Sequence, residues 1–197
     1  MAKLLYQGHG SYRFQSDSGA VIYVDPFAGE GYDLSADIIL VTHEHRDHNQ
    51  ISLVPQKAEC MILRTSNMLA EGKYGVKTIK EIRIEAVPAY NKNHDRQECV
   101  GYLISMDGKK IYAAGDTSMT DYMSESLSKE AVDYAFLPID GIYNMGAEEA
   151  AKCAEVIGAK HTIPIHMMPG ELFNGKKAEE FITPSRMIIS PGTDLLL

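Results

Sequence analysis

The chain has 197 residues, 45% of them hydrophobic, and a formal charge of −8. That is enough apolar content for one sizeable core. The acidic balance and the absence of any Lys/Arg-rich run argue against a nucleic-acid or anionic-membrane surface, whose footprints are basic. No apolar run approaches the roughly 18 residues of a membrane helix, and the opening MAKLLYQGHG has no long apolar signal region, so the expectation is a soluble, cytoplasmic protein. The reading is one domain over residues 1–197 with its oligomeric state open. Cys60, Cys99 and Cys153 are scattered and form no CxxC, which suggests reduced core thiols.

The first half reads as strands. KLLYQ, SYRFQS and AVIYVD are short runs rich in Tyr, Val and Ile, broken by Gly8-His9-Gly10 and by Asp17-Ser18-Gly19, a hairpin signal. DIILV is continuously apolar, as for a strand buried on both faces. CMILR, IRIEAVP, CVGYLIS and KKIYAAGD follow, the last two joined by the turn Met106-Asp107-Gly108. The second half adds helices. GAEEAAKCAEVIG places Ala150, Ala154 and Ile157 at helical spacing, with acidic residues in its first turn and Gly158 as a stop. TDYMSESLSKEAV and KKAEEFI are weaker helical patterns, and HTIPIH reads as a strand. Strands first, then strands alternating with helices, suggest layered sheets covered by helices.

VTHEHRDH, residues 41–48, crowds three of the seven histidines and an aspartate into six positions directly after DIILV. His43 and His45, at i and i+2 in an extended turn, project to the same side and can reach one ion at about 2.0–2.1 Å. Asp47 and His48, where a helix is expected to start, are offset enough to serve a second ion. Other strand ends finish in similar residues: Asp25 in VIYVDPF, His94 in YNKNHDR, Asp116 in IYAAGDTS and His166 in HTIPIH. Open α/β sheets place ligands at such ends.

With HxHxDH at His43, His45, Asp47 and His48, then AGDT and PIH in order, the chain resembles the metallo-β-lactamase fold superfamily. Its early GHGS and its VDP strand end are similar to the minimal branch that contains ascorbate-6-phosphate lactonase-like hydrolases. The resemblance spans the whole chain and implies an α/β fold, a four-layer αββα sandwich with a dinuclear site at one edge of the sheets. It also implies that His43, His45 and a third histidine hold one ion, that Asp47, His48 and His166 hold the other, that Asp116 bridges them, and that Asp25 orients the histidine loop. Where many relatives carry the third histidine this chain has Asn91. His94, three residues on, is the expected ligand, with an open position or a one-metal site as alternatives.

Two divalent ions about 3.5–4 Å apart lower the pKa of a bridging water towards 7 and polarise a carbonyl or phosphoryl oxygen. The implied function is therefore hydrolysis of a small ester, lactone or phosphoester by a metal-bridged hydroxide. Zinc is the first expectation from the imidazole count, with manganese or iron compatible. Asp47 and His9 are the candidate catalytic side chains, His9 as a pocket-lining donor to substrate. Asn91, Tyr143 and Asn144 are candidate substrate contacts, and His161 is expected to be structural. Rival classes are a noncatalytic metal or metabolite-binding module and a di-iron redox protein.

Overall fold

The computed structural model describes all residues 1–197. Strands β1 (Lys3–Gly8), β2 (Ser11–Gln15), β3 (Val21–Val24), β4 (Ala36–Leu40) and β5 (Gln56–Leu63) lead into a short helix, α1 (Thr65–Met68). A small hairpin, β6 (Leu69–Ala70) and β7 (Lys73–Tyr74), precedes β8 (Val76–Ile79), β9 (Ile82–Pro88), β10 (Val100–Met106) and β11 (Lys109–Ala113). The rest alternates: α2 (Asp121–Glu125), β12 (Tyr134–Pro138), α3 (Ala147–Ile157), β13 (His161–Ile165), α4 (Gly175–Glu179) and β14 (Asp194–Leu196).

Two six-stranded mixed sheets result, in the orders β14-β1-β2-β3-β4-β5 and β13-β12-β11-β10-β9-β8. Their facing sides meet in the largest core cluster because side chains alternate along each strand. Tyr12 and Phe14 point inward from β2, Ile38 and Leu40 from β4, Tyr102 and Ile104 from β10, and Phe136 from β12. Tyr12 stacks on Phe136 across the interface with ring centroids 4.1 Å apart. The opposite residues of the second sheet, among them Leu103, Tyr112, Ala135 and Leu137, pack against Met123 of α2 and Ala150, Cys153, Ala154 and Ile157 of α3. The other outer face is thinner: Val21, Tyr23, Ile39 and Val41 lie under Tyr32, Leu34, Ile51 and Val54, from loops and the 3-10 turn Ile51–Leu53. The sandwich is therefore α/β with its main helical layer on one side.

Several local expectations match. The Asp107-Gly108 turn has positive φ at both residues, as a two-residue hairpin between twisted strands requires, and α3 ends on Gly158 at φ 66°. Others change. The expected helix at Asp47 and His48 is a turn, and the patterns at TDYMSESLSKEAV and KKAEEFI condense to the five-residue α2 and α4, the first followed by a 3-10 turn at Leu127–Lys129. YAFLP, not foreseen as a strand, is β12, buried throughout between β11 and β13. Cys60 is only half-buried, because β5 is an edge strand; Cys99 and Cys153 are buried, and all three are free. No helix is long and apolar enough to cross a membrane.

Candidate metal centre

Strand direction gathers the site. In the first sheet β3 and β4 are parallel, and β1 runs the same way because each of its two steps through β2 is antiparallel. In the second, β11, β12 and β13 are parallel, and β9 matches them through β10. Their carboxyl ends deliver His9, Asp25, the 41–48 loop, the Asn91–His94 turn, Asp116, Asp140 and His166 into one cluster of side chains. His9, Asp25 and His166 take positive φ of 55°, 45° and 46° there, a strained backbone region for residues with a Cβ.

His43, His45 and His94 form one cluster, their ligand atoms within 4.8 Å of one another. Buried His43 has Nδ1 3.1 Å from Thr42 Oγ1, and that hydroxyl donates to Asp25 Oδ2 at 2.7 Å, so it accepts from His43 and leaves Nε2 bare. His94 Nδ1 donates to Asn91 Oδ1 at 3.0 Å, which likewise frees its Nε2. His94, not Asn91, thus stands beside His43 and His45, and Asn91 orients it. His45 is the exposed member.

The second cluster holds Asp47, His48 and His166, joined by His9. His48 Nδ1 donates to Asp25 Oδ2 at 2.9 Å. His166 Nδ1 lies 3.1 Å from Asp140 Oδ2. Between the clusters stands Asp116: Oδ1 is 3.3 Å from His48 Nε2, and Oδ2 is 3.2 Å from His94 Nε2, 3.5 Å from His166 Nε2 and 4.0 Å from His43 Nε2. One carboxylate faces both groups, the placement a bridging role needs.

Whether this cage suits metal is tested by its orphan atoms. His43 Nε2, His48 Nε2, His166 Nε2 and Asp116 Oδ1 are buried without hydrogen-bond partners, although buried polar atoms are otherwise almost always satisfied. All four belong to the clusters above, and their nitrogen-and-carboxylate chemistry fits divalent ions. The charge balance agrees. Burial drives His43 down to about 2, helped by neighbouring His48. Burial also pushes His48 and His166 down, but Asp116 and the other carboxylates outweigh it, leaving His48 above its ordinary value and His166 up at about 10. Burial would raise Asp116, yet His48 and His166 hold it well below the carboxylate range.

Three expectations need correction. His9 does not line the cleft: it is fully buried, with Nδ1 donating to Glu171 O at 3.0 Å and Nε2 3.1 Å from Asp47 Oδ2, so it backs Asp47. Asn91 and Asn144 are not free to contact substrate, because Asn91 Nδ2 donates to Asn144 Oδ1 at 3.0 Å and Asn144 Nδ2 donates to Asp140 Oδ2 at 2.8 Å. Tyr143, half-exposed, does line the cleft. His161 stacks on Tyr134, Met167 is buried in the helical-side core and Met168 is half-buried, and none of the three lines the clefts described below. Asp140 escaped the sequence reading. Its signal was the apolar run FLPI ending in Asp, the same pattern as VIYVD.

The cleft above the clusters has a volume of about 430 Å³ and is lined by His45, Asp47, Asn93, His94, Asp116, Tyr143 and His166. A second hollow of about 410 Å³ lies beyond His43, His45 and His94, walled by Glu44, Thr65, Ser66, Asp95, Gln97 and Glu98. Both volumes suit a small molecule. Cys99 also lines the second hollow, but burial pushes its thiol up to about 12, so it is not a thiolate nucleophile.

The model of the family described as Beta-lactamase superfamily domain matches residues 3–166. The UPF0173 metal-dependent hydrolase of Pyrococcus furiosus is 32% identical, with 84% of each chain covered. Another, from Methanoculleus marisnigri, is 30% identical and covers 98% of this chain and 96% of its own. Among solved structures, Igni18, a metallo hydrolase from the archaeon Ignicoccus hospitalis, has a TM-score of 0.77 over 98% of this chain and 97% of that one, at 22% identity, a likeness of fold. The chain belongs to the β-lactamase superfamily domain family, and these relatives are named metal-dependent hydrolases.

Proposed function

We propose that this chain is a hydrolase that holds two divalent ions, zinc first, and cleaves a small ester or lactone. The observation that carries the reading is the gathering of buried, unpartnered Nε2 and Oδ atoms of His43, His48, His166 and Asp116 at the carboxyl ends of the strands, with Asp116 within 4.0 Å of all three histidines. His43, His45 and His94 would hold one ion, Asp47, His48 and His166 the other, and Asp116 would lie between. When bound, such ions supply a water nucleophile at neutral pH and polarise the scissile oxygen.

The protein's own groups do the rest. Asp25 and Asn91 fix histidine tautomers, so that ring nitrogens reach the centre as lone pairs. Asp47, about a third exposed and backed by His9, is held ionised against the cost of burial by His166 and His9, and keeps a negative charge at the cleft. Tyr143 at the rim offers a hydroxyl and a ring face to the substrate. The side chains lining both hollows include Glu44, Asp95 and Glu98 and no lysine or arginine, which favours an uncharged ester or lactone over a phosphoester, since phosphate sites recruit arginine or lysine.

The test is metal content per chain by mass spectrometry of released ions, followed by a screen of lactones, esters and phosphoesters with wild type and His48→Ala. About two equivalents of zinc and hydrolysis lost in the folded variant are expected. Absence of metal after reconstitution, or equal activity in both proteins, would refute the proposal in favour of a noncatalytic binding module.

A further inference from the structure

Asp140 is used by nothing in the hydrolytic reading except as a neighbour of His166, yet its side chain is fully buried and heavily engaged. Oδ1 accepts the backbone N–H groups of Ile142, Tyr143 and Asn144 at 2.6, 2.7 and 3.2 Å. Oδ2 accepts from Asn144 Nδ2 and faces His166 Nδ1. From Asn144 the bonds run on to Asn91 and then to His94.

The direction of this chain is forced. An ionised carboxylate only accepts, so Asn144 must turn its NH2 towards Asp140 and its oxygen towards Asn91. Asn91 must then present NH2 to Asn144 and its oxygen to His94, an orientation that the Asn93 backbone N–H also fixes at 2.8 Å. His94 is thereby held with its proton on Nδ1 and its Nε2 lone pair towards the centre. At the other end the same carboxylate stands 3.1 Å from Nδ1 of His166 as an ion-pair contact, not an aligned hydrogen bond, and Nε2 has no partner.

We infer that Asp140 is a positioning residue for both metal positions, setting His166 directly and His94 through Asn144 and Asn91. It thus mirrors Asp25, which sets His48 directly and His43 through Thr42. The inference rests on the metal-binding reading above.

Asp140→Asn tests it. To keep the three backbone donors satisfied, the new amide must place its NH2 where Oδ2 stood, opposing Asn144 and His166 with a donor. Zinc occupancy is set with a chelator buffer, and each position is read separately from the imidazole 15N signals of His94 and His166. Wild type should fill both positions, with the metal-free His94 proton on Nδ1. Asp140→Asn should lower affinity about 10-fold or more at both positions and disturb the His94 tautomer, the usual penalty for losing a ligand's support. In an Asn91→Ala background, the effect of Asp140→Asn on the His94 position should vanish while the effect at His166 persists.

If wild type binds zinc at both positions but Asp140→Asn alters only His166, or alters His94 equally in both backgrounds, the relay is refuted and the metal reading stands. If wild type binds none, the metal reading itself falls. Should Asp140→Asn not fold, Asn144→Ala, which touches neither histidine, must still weaken the His94 position and disturb its tautomer, with a smaller effect at His166; an unchanged His94 position would overturn the inference.

Discussion

Replacing Asp25 with Asn keeps the size of the side chain and a residue type that tolerates the positive φ of 45°. It removes one acceptor from a buried group that has three donors to satisfy. Oδ1 accepts Thr42 N–H at 2.8 Å, while Oδ2 accepts Thr42 Oγ1 at 2.7 Å and His48 Nδ1 at 2.9 Å. If the amide oxygen stays with the backbone N–H, the NH2 faces His48 and drives its proton to Nε2, which blocks the atom meant for metal. If the amide turns over, NH2 opposes the Thr42 N–H. Either way about one charge-assisted hydrogen bond is lost, roughly 1.5–3 kcal/mol, which corresponds to about 10- to 100-fold in metal affinity. His43, reached only through Thr42, should suffer less than His48. The assay is chelator competition on folded protein, with hydrolysis of the best substrate in parallel. Unchanged affinity in a folded Asp25→Asn protein would show that this hydrogen-bond set does not prepare the site.

Metal-free protein should be most stable near pH 6.5. His43 titrates at about 2 when folded and near 6.5 when unfolded, so stability rises with pH across that interval; His166 titrates at about 10 when folded, so its contribution is complete below 6.5 and is lost as pH rises through 10. A thermal midpoint that stays flat between about pH 5 and 9 would contradict this. Gly115→Ala should cost more than about 1 kcal/mol, because φ is +64° and a Cβ would stand 2.9 Å from Thr42 Cβ; it should also weaken metal binding through Thr42. Denaturant midpoint and chelator competition both check it, and no change in either would refute it. Phe136→Ala, fully buried and stacked on Tyr12, should cost about 3–5 kcal/mol in equilibrium unfolding. A loss below about 1 kcal/mol would mean the two sheets are not held together there.

Much of this protein is written locally. The alternation of Tyr12 and Phe14, or of Ile38 and Leu40, specifies strands with an inward face, because the pleat repeats every two residues. His43, His45, Asp47 and His48 announce ligand chemistry through residue type and spacing alone, and Asp25, Asp116 and His166 do so through their place at strand ends. Partnership is another matter. A lone Asp140 before Gly141 reads as a turn, and Asn91 reads as a missing ligand, until folding brings Asn91 beside Asn144, 53 positions away. His9 looks like a loop donor until β1 and the segment carrying Glu171 close around it, 162 positions apart in the chain. A sequence determines which groups a strand end offers and which way a strand alternates, since both follow from bonds between neighbours. Which offered groups become ligands and which become their supports depends on hydrogen-bond directions between strand ends far apart in sequence, Asp25 with the histidine loop in one sheet and Asp140 with Asn91 and His166 in the other. Those directions exist only once the sandwich has formed.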